Sequence, residues 1–332
     1  MMKRRAILAV VLVLISAFCA GLLVTKMRSA SRSTFHIAFN EWAGFAPFFL
    51  AKEKGYFGDL PVEFHFIAPE SDKRAGLHSG RFQMICETMD MFQNGRNAVP
   101  YPGRIVFAID ESFGGDGVIA AKEVRSLKDI KGRVAVSEPG QASHLVLQYL
   151  LRKEGMTLKD VKLREMEASD AAAAFVAGKA DVAATYEPYL GNALQKRAGS
   201  HLLVSSKDLP GLIVDVAIVS ENTLQTRASD VTRIYDGWCK AVEFLEKNRA
   251  EAIAVMATPF RMTPKNFEGS ASGLRYFGRQ RNTELFGSES KPGAIQETFK
   301  MIGEILLANG LTRAVDTPAS KIDLSVVATP MP

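Results

Sequence analysis

The order β-α-β-α-β is written twice into this chain, and the repeat limits the fold more than any other feature. Phe35 to Asn40 reads as a strand. Pro47 then opens a helix over Phe48 to Lys54 that Gly55 closes, the Pro-first, Gly-last arrangement of helix ends. A second strand is expected over Val62 to Ala68, a helix over Glu70 to Ser79 stopped by Gly80, and a third strand over Phe82 to Cys86. The pattern returns with a strand over Arg133 to Val136 and a helix over Ser143 to Glu154 ended at Gly155. It continues with a strand over Val161 to Glu167, a helix over Asp170 to Ala177 capped by Ser169 and ended by Gly178, and a strand over Asp181 to Thr185. The punctuation matches as well. Ser79-Gly80-Arg81 precedes one third strand and Ala177-Gly178-Lys179 the other, and each then runs into a glutamate, Glu87-Thr88 or Glu187-Pro188. Strands separated by helices pair in parallel, so each unit implies an α/β sheet with helices on its faces.

A chain of 332 residues is long for one such unit and comfortable for two lobes. The short apolar runs Gly117 to Ala121 and Ile213 to Ser220 flank the second unit. A chain that leaves lobe one, builds lobe two and returns would cross at these runs. Lobe one is therefore expected from residues 34–116 plus 220–332 and lobe two from 122–214, with hinges near 117–121 and 215–219. From Ser229 onward the pattern is helical (Val231 to Lys247, Ala250 to Ala257, Pro264 to Ser272, Ala294 to Ala308), and these helices should pack on the first lobe.

The N-terminus departs from this pattern. Lys3, Arg4 and Arg5 precede an uncharged apolar stretch from Ala6 to Val24, and Lys26 follows it. Residues 1–30 thus read as an export signal or a membrane anchor, and the apolar stretch is long enough to span a bilayer as a helix. Three fates stay open: cleavage, retention as an anchor, or lipidation at Cys19, where bulky Phe18 stands at a position that favours a small residue. Each places the body outside the cytoplasmic membrane, in the bacterial periplasm or on the membrane's outer face, with membrane contact through this segment alone. Lys and Arg number 41 against 36 Asp and Glu, a net charge of +5 without a basic run, so no nucleic-acid partner is expected. Cys86 and Cys239 read as small buried hydrophobes, not as a disulfide or zinc pair. The five histidines are dispersed, and none stands at a nucleophile-like spacing from Cys or Ser. No catalysis, cofactor or metal is expected.

Ligands of open α/β sheets bind outside the carboxyl ends of the parallel strands. At those ends stand Trp42, Glu87, Tyr186 and Glu187, and the crossings add Asp116 and Asp215. Trp42 beside a glycine also fits loop packing, Asp116 among glycines also fits a turn, and Glu187 before proline also fits a helix N-terminus. Asp215 is different, because it interrupts the apolar run Leu212 to Val219, and a buried carboxylate there is costly unless paired or facing a polar cleft. Carboxylates beside aromatic faces favour an amine-bearing or cationic ligand. The opposing signal is the helix start from Gly140 to Ser143, whose N–H groups and hydroxyl suit a sulfonate, phosphate or carboxylate. A zwitterion would satisfy both.

The segment Trp42-Ala43-Gly44-Phe45-Ala46-Pro47-Phe48-Phe49-Leu50-Ala51-Lys52-Glu53-Lys54-Gly55-Tyr56-Phe57 resembles the opening signature of the nitrate/sulfonate/taurine and pyrimidine-precursor group of periplasmic binding proteins. Ser126-Leu127-Lys128-Asp129-Ile130-Lys131-Gly132, Ala177-Gly178-Lys179-Ala180-Asp181, Glu187-Pro188 and Leu209-Pro210-Gly211 extend the resemblance, in order, from about Phe35 to Gly310. The resemblance implies a two-lobed type II binding-protein fold and closure of the lobes over a small molecule, with a pyrimidine-like ligand among the family's alternatives. It also implies a monomer that delivers this ligand to the permease and ATPase of an ABC transporter, or, as the rival reading, to a membrane signalling protein as its sensor subunit. Fungal pyrimidine synthases share the resemblance but carry a cysteine-rich iron motif that this chain lacks. If the apolar N-terminal stretch belongs to the membrane, a chain beginning near Ser31 folds unaided. Circular dichroism and size-exclusion chromatography of that truncation check this, and aggregation would show that the stretch packs into the body.

Overall fold

The computed structural model describes residues 33–94 and 103–329. The expected export or anchor segment, with Cys19, lies outside them. Among the described residues no helix is long and apolar enough to cross a membrane.

Each repeat folds into the parallel core of a separate sheet. In the first, β1 (Phe35–Phe39) pairs in parallel with both β2 (Val62–Phe66) and β3 (Met84–Thr88). The helices between them are α1 (Pro47–Glu53) and α2 (Glu70–His78), and α3 (Met89–Asn94) follows β3. Two long strands, β4 (Gly103–Ser112) and, much later in the chain, the return strand Val214–Ser220, complete this sheet. The second sheet holds β5 (Asp116–Ala120), β6 (Val134–Ser137), β7 (Lys162–Glu165), β8 (Val182–Tyr186) and β9 (His201–Ser205), with the return strand numbered β10 and Leu274–Tyr276 numbered β11. The six-stranded sheet runs β11-β4-β10-β3-β1-β2 and the five-stranded sheet β7-β6-β8-β5-β9. In each, the first strand of the repeat (β1 or β6) lies between its two parallel partners, and an antiparallel strand (β10 or β5) is inserted beside the third. The helices of the second sheet are α4 (Ala142–Lys153), α5 (Ala168–Val176) and α6 (Tyr189–Lys196), and α7 (Glu221–Lys247) follows the return strand.

The first sheet is buried on both faces, so its central strands are continuous apolar runs and not alternating ones. All seven residues of β10 are buried. Phe39 of β1 contacts the rings of Phe45, Phe48, Phe49, Phe64 and Phe66 at 5.2 to 5.9 Å. On α7, Trp238 packs on Phe48 at 4.7 Å and its ring N–H donates to the Phe277 carbonyl at 2.9 Å, so its polar edge is satisfied inside the core. Cys86 and Cys239 are buried free thiols.

Several sequence expectations change. The third strand of the first repeat starts at Met84 and reaches Thr88, which brings Glu87 into the sheet. Ser169 lies inside α5, whose first residue is Ala168. The helix expected from Val231 is preceded by a short helical stretch from Glu221, where the Ser220 side chain accepts from the Thr223 N–H at 3.1 Å, and the two are separated by a kink at Arg227 (φ −134°). The C-terminal region is not purely helical, because β11 joins the edge of the first sheet. Strands β4 and β9 were not anticipated either. The hinge positions also move. Residues 117–120 lie within β5 and 215–219 within β10, each hydrogen-bonded to strands on both sides. Their apolar, β-branched composition marks central strands, not crossings. The chain passes between sheets at residues 113–115 and 206–213 instead.

One serine ties the crossings together. Ser206 Oγ accepts from the backbone N–H of Gly114 at 2.8 Å and of Asp116 at 3.3 Å, and lies 2.8 Å from Ser112 Oγ. Beside this clip, Gly115 packs against Gly273, where an added Cβ would fall 2.8 Å from the Gly115 Cα and 2.9 Å from its nitrogen. Both obstacles are backbone and cannot rotate away. Gly273→Ala is therefore expected to destabilise the chain by about 1 to 3 kcal/mol. Gly269→Ala, in a helix with open space around it, should be neutral or stabilising by up to about 1 kcal/mol. Urea unfolding of both variants checks the pair, and equal effects would contradict the close contact.

Candidate ligand-binding site

The carboxyl ends of the two parallel cores face one cavity of about 290 Å³, at the small end of the range for ligand pockets. From the first sheet it is lined by Asn40, Glu41, Trp42 and Phe45 after β1, by Glu87 and Thr88 at the end of β3, by Met91 on α3, and by Ile213 and Asp215 at the return crossing. From the second it is lined by Asp116 at the start of β5, Gln141 and Ala142 at the start of α4, and Tyr186 at the end of β8.

Strand register builds the acidic centre. Asp215 of β10 pairs with Thr88 of β3 on one side and Asp110 of β4 on the other. Asp116 and Tyr186 face each other across the β5–β8 ladder. Successive strand residues point to opposite faces, and β4 shows the consequence. Asp110 sits against Gly44 and Trp42, where a Cβ on Gly44 would fall 2.0 Å from Asp110 Oδ2. Glu111 instead reaches Arg275 at 2.9 Å, Arg281, and the Gly211 N–H at 2.8 Å, a structural role outside the cavity.

Burial dominates the electrostatics. Asp110, Asp116 and Asp215 are at most 5% exposed, and Asp90 of α3 is 6% exposed. Burial pushes Asp116 up to about 6, against the hydrogen bond from Ser112 Oγ at 2.7 Å, and pushes Asp90 up to about 6. Because Ser112 gives its proton to Asp116, Ser206 is left as the donor to Ser112. Asp215 is raised well above the carboxylate range, first by burial and then by Asp110, with Lys73 opposing. Asp110 is raised by burial, and the adjacent Trp42 and Asp215 side chains hold it back in part. Even so, neither Asp110 oxygen nor the Trp42 ring N–H reaches hydrogen-bond geometry with another protein group. Glu87 is pushed up to about 8 by burial and by its hydrogen bond with Glu70, while Arg74 at 3.4 Å pulls it down. Burial likewise raises the Tyr186 hydroxyl to about 12, and that ring lies edge-on to Tyr189 at 5.6 Å.

Of the residues proposed from sequence, the structure brings together Trp42, Glu87, Asp116, Tyr186 and Asp215 around one cavity. Glu187 is placed elsewhere. Its carboxylate is exposed, accepts from the Gly191 N–H at 3.1 Å inside α6, and lines a neighbouring groove. At the start of α4, Gln141 and Ala142 line the cavity, while Gly140 lies one residue back with φ +78° and Ser143 Oγ is buried without a partner. Sequence reasoning missed Asp110 and Asp90. Asp110 carries the same signal that singles out Asp215, an acid ending an apolar run (Ile105 to Ile109), but this run lies outside the two β-α-β-α-β repeats that define the expected strands.

Two sheets of this topology, each with a parallel core and an inserted antiparallel strand, with a cavity between their carboxyl ends, form the periplasmic binding protein architecture. The chain superposes on the periplasmic aliphatic sulphonate-binding protein SsuA of Escherichia coli with a TM-score of 0.70 at 15% identity, over 88% of this chain and 92% of that one. It superposes on the periplasmic nitrate-binding protein NrtA of Synechocystis PCC 6803 with a TM-score of 0.62 at 14% identity, over 89% and 87%. A sequence model of the family described as NMT1/THI5 like matches residues 42–252, and the chain belongs to that family. A Brucella abortus (strain 2308) chain described as a binding protein is 22% identical over 215 residues, 64% of this chain and 66% of the relative. The match therefore spans just under two thirds of that relative's length. The family and fold implied by the stretch from Trp42 onward are confirmed.

The raised acids make stability depend on pH with a defined sign. Between about pH 7.5 and 8.5 the carboxyls of an unfolded chain have lost their protons and its histidines nearly all of theirs. The folded chain still holds protons on Glu87 and on the Asp110–Asp215 pair. The native state binds more protons there, so stability falls as pH rises through this window. Asp215→Asn is expected to stabilise the ligand-free chain at pH 8 and to flatten the decline. Urea midpoints at several pH values read both effects, and a rising profile in the unaltered chain would contradict the cluster.

Proposed function

We propose that this chain is an extracytoplasmic solute-binding protein that captures a small cationic or amine-bearing molecule between its sheets and delivers it to the permease of an ABC transporter. The observation that carries the ligand class is the composition of the cavity wall. Its described residues include the acids Glu41, Glu87, Asp116 and Asp215 and no Lys or Arg. An anion entering this wall meets like charge and gains no basic partner. A cation relieves the mutual repulsion of the acids and restores part of the solvation they lose on burial. Trp42 offers an aromatic face, and the unpartnered oxygens of Asp110 lie just behind it. Binding requires no bond-making chemistry, and the relatives are described as binding proteins.

The lining residues also account for closure. Asp215 belongs to the first sheet and Asp116 opens the second, with the crossings at 113–115 and 206–213 between them. A cation that both carboxylates contact favours the arrangement in which the sheets approach, and the difference in contacts between open and closed states sets how far closure is driven. The second reading is an anion of the sulfonate or nitrate type. It is favoured by the buried, unpartnered Ser143 hydroxyl at the start of α4.

Calorimetry with paired amines, guanidines and sulfonates separates the readings. A cationic ligand is expected to bind. Asp215→Asn should weaken it about tenfold or more, the loss of a charge-assisted bond of roughly 1.5 to 3 kcal/mol. Glu187→Gln should leave it unchanged, because that carboxylate caps α6 outside the cavity. A ligand of fixed charge, such as a quaternary ammonium, should bind more tightly at pH 8 than at pH 6, because Asp116 is ionised by pH 8 and Glu87 and Asp215 then give up their protons to the bound cation more readily. Tight sulfonate binding that ignores Asp215→Asn would establish the anion reading instead.

A further inference from the structure

We propose that the first sheet carries a second binding site, for a zinc-class divalent cation, formed by His36, Glu63 and His65. His36 Nδ1 lies 3.0 Å from His65 Nε2 and 3.5 Å from Glu63 Oε2, and the three donor atoms all lie within 4.8 Å of one another. Zinc bonds to imidazole at about 2.0 to 2.1 Å, so two nitrogens on one tetrahedral ion stand about 3.3 Å apart. The observed spacings bracket that value, and an ion could enter with little rearrangement.

The strands preorganise the donors. His36 and Glu63 are direct partners in the parallel β1–β2 register, and His65 is two residues further along β2, on the same face. The His36 backbone N–H donates to Gln83 Oε1 at 2.8 Å, which holds its place on the strand, and the His65 ring packs on Phe82 at 5.2 Å, which limits the rotation of that ring. The site is open to solvent, with the His36 side chain 32% and the Glu63 side chain 59% exposed. Three protein ligands with a position left for water is a coordination zinc adopts. Two imidazoles with one carboxylate select zinc-class ions over magnesium and calcium, which prefer oxygen donors throughout. Arg81, stacked on Phe82 at 4.9 Å and electrostatically coupled to His65, opposes a cation, and the Glu63 carboxylate offsets it. A direct hydrogen bond between the two imidazoles, with no metal, is the competing account of the same contact. The site shares no residue with the ligand cavity, which begins beyond the other end of β1.

Titration of the full untagged chain with zinc chloride and, separately, magnesium chloride, followed by calorimetry and thermal unfolding, tests the site. One zinc per chain is expected to bind and raise the unfolding temperature, and magnesium should do neither. His36→Gln and His65→Gln should each weaken zinc binding at least about tenfold. Exposed Glu63→Gln, which removes a ligand without touching the core, should weaken it as well, and His78→Gln should not. Absence of zinc binding by the unaltered chain, or binding that survives both histidine substitutions, would overturn the site. Either result leaves the cleft and its ligand unaffected, because the two sites share no residue.

Discussion

Asp215 is held in place by its strand: β10 is hydrogen-bonded to β3 on one side and to β4 on the other, and its residues are buried throughout. Its carboxyl meets solvent only through the cavity. It cannot be neutralised by a nearby base, because Lys73 is itself committed to Glu70 and the Cys86 carbonyl at 2.8 and 3.1 Å. The remaining ways of relieving this cost are protonation or a ligand. The same holds for Asp110 beside it, and Asp90 and Asp116 add to the repulsion. The stability of the first sheet and the chemistry of the cavity are therefore coupled through one group of acids.

The sheet can carry that cost because its other faces are satisfied. A chain of aromatic contacts runs from Phe39 through Phe48 and Trp238 to Phe107. Glu111, one residue beyond Asp110, is fully engaged by two arginines and a backbone N–H. Alternation along a single strand thus separates an acid engaged by arginines from one packed against Gly44 and Trp42.

Related architectures accommodate anions: the named structural relatives are a sulphonate-binding and a nitrate-binding protein. At 14 to 15% identity the scaffold is shared while the side chains at the strand ends are free to differ. Here the wall is acidic and aromatic. Ligand charge is a property of a few side chains at strand ends, whereas the scaffold depends on the many apolar residues that form the strands.

The sequence alone determined the repeat, the α/β class, the family and several residues of the cavity wall. Strand and helix periodicity, glycine stops and an acid interrupting an apolar run are local signals, and each is read within a few residues. It was therefore able to point to Trp42, Glu87, Asp116, Tyr186 and Asp215. Only the tertiary structure decided that the apolar runs 117–121 and 213–220, which read in one dimension as crossings, belong to central strands, because each is paired on both sides. The same is true of the sites. Asp110 joins Asp215 through register between strands far apart in the chain, Glu187 turns away to cap its own helix, and His36 meets His65 across two parallel strands. Contacts between distant segments are set by how the sheet assembles, and no local pattern records them.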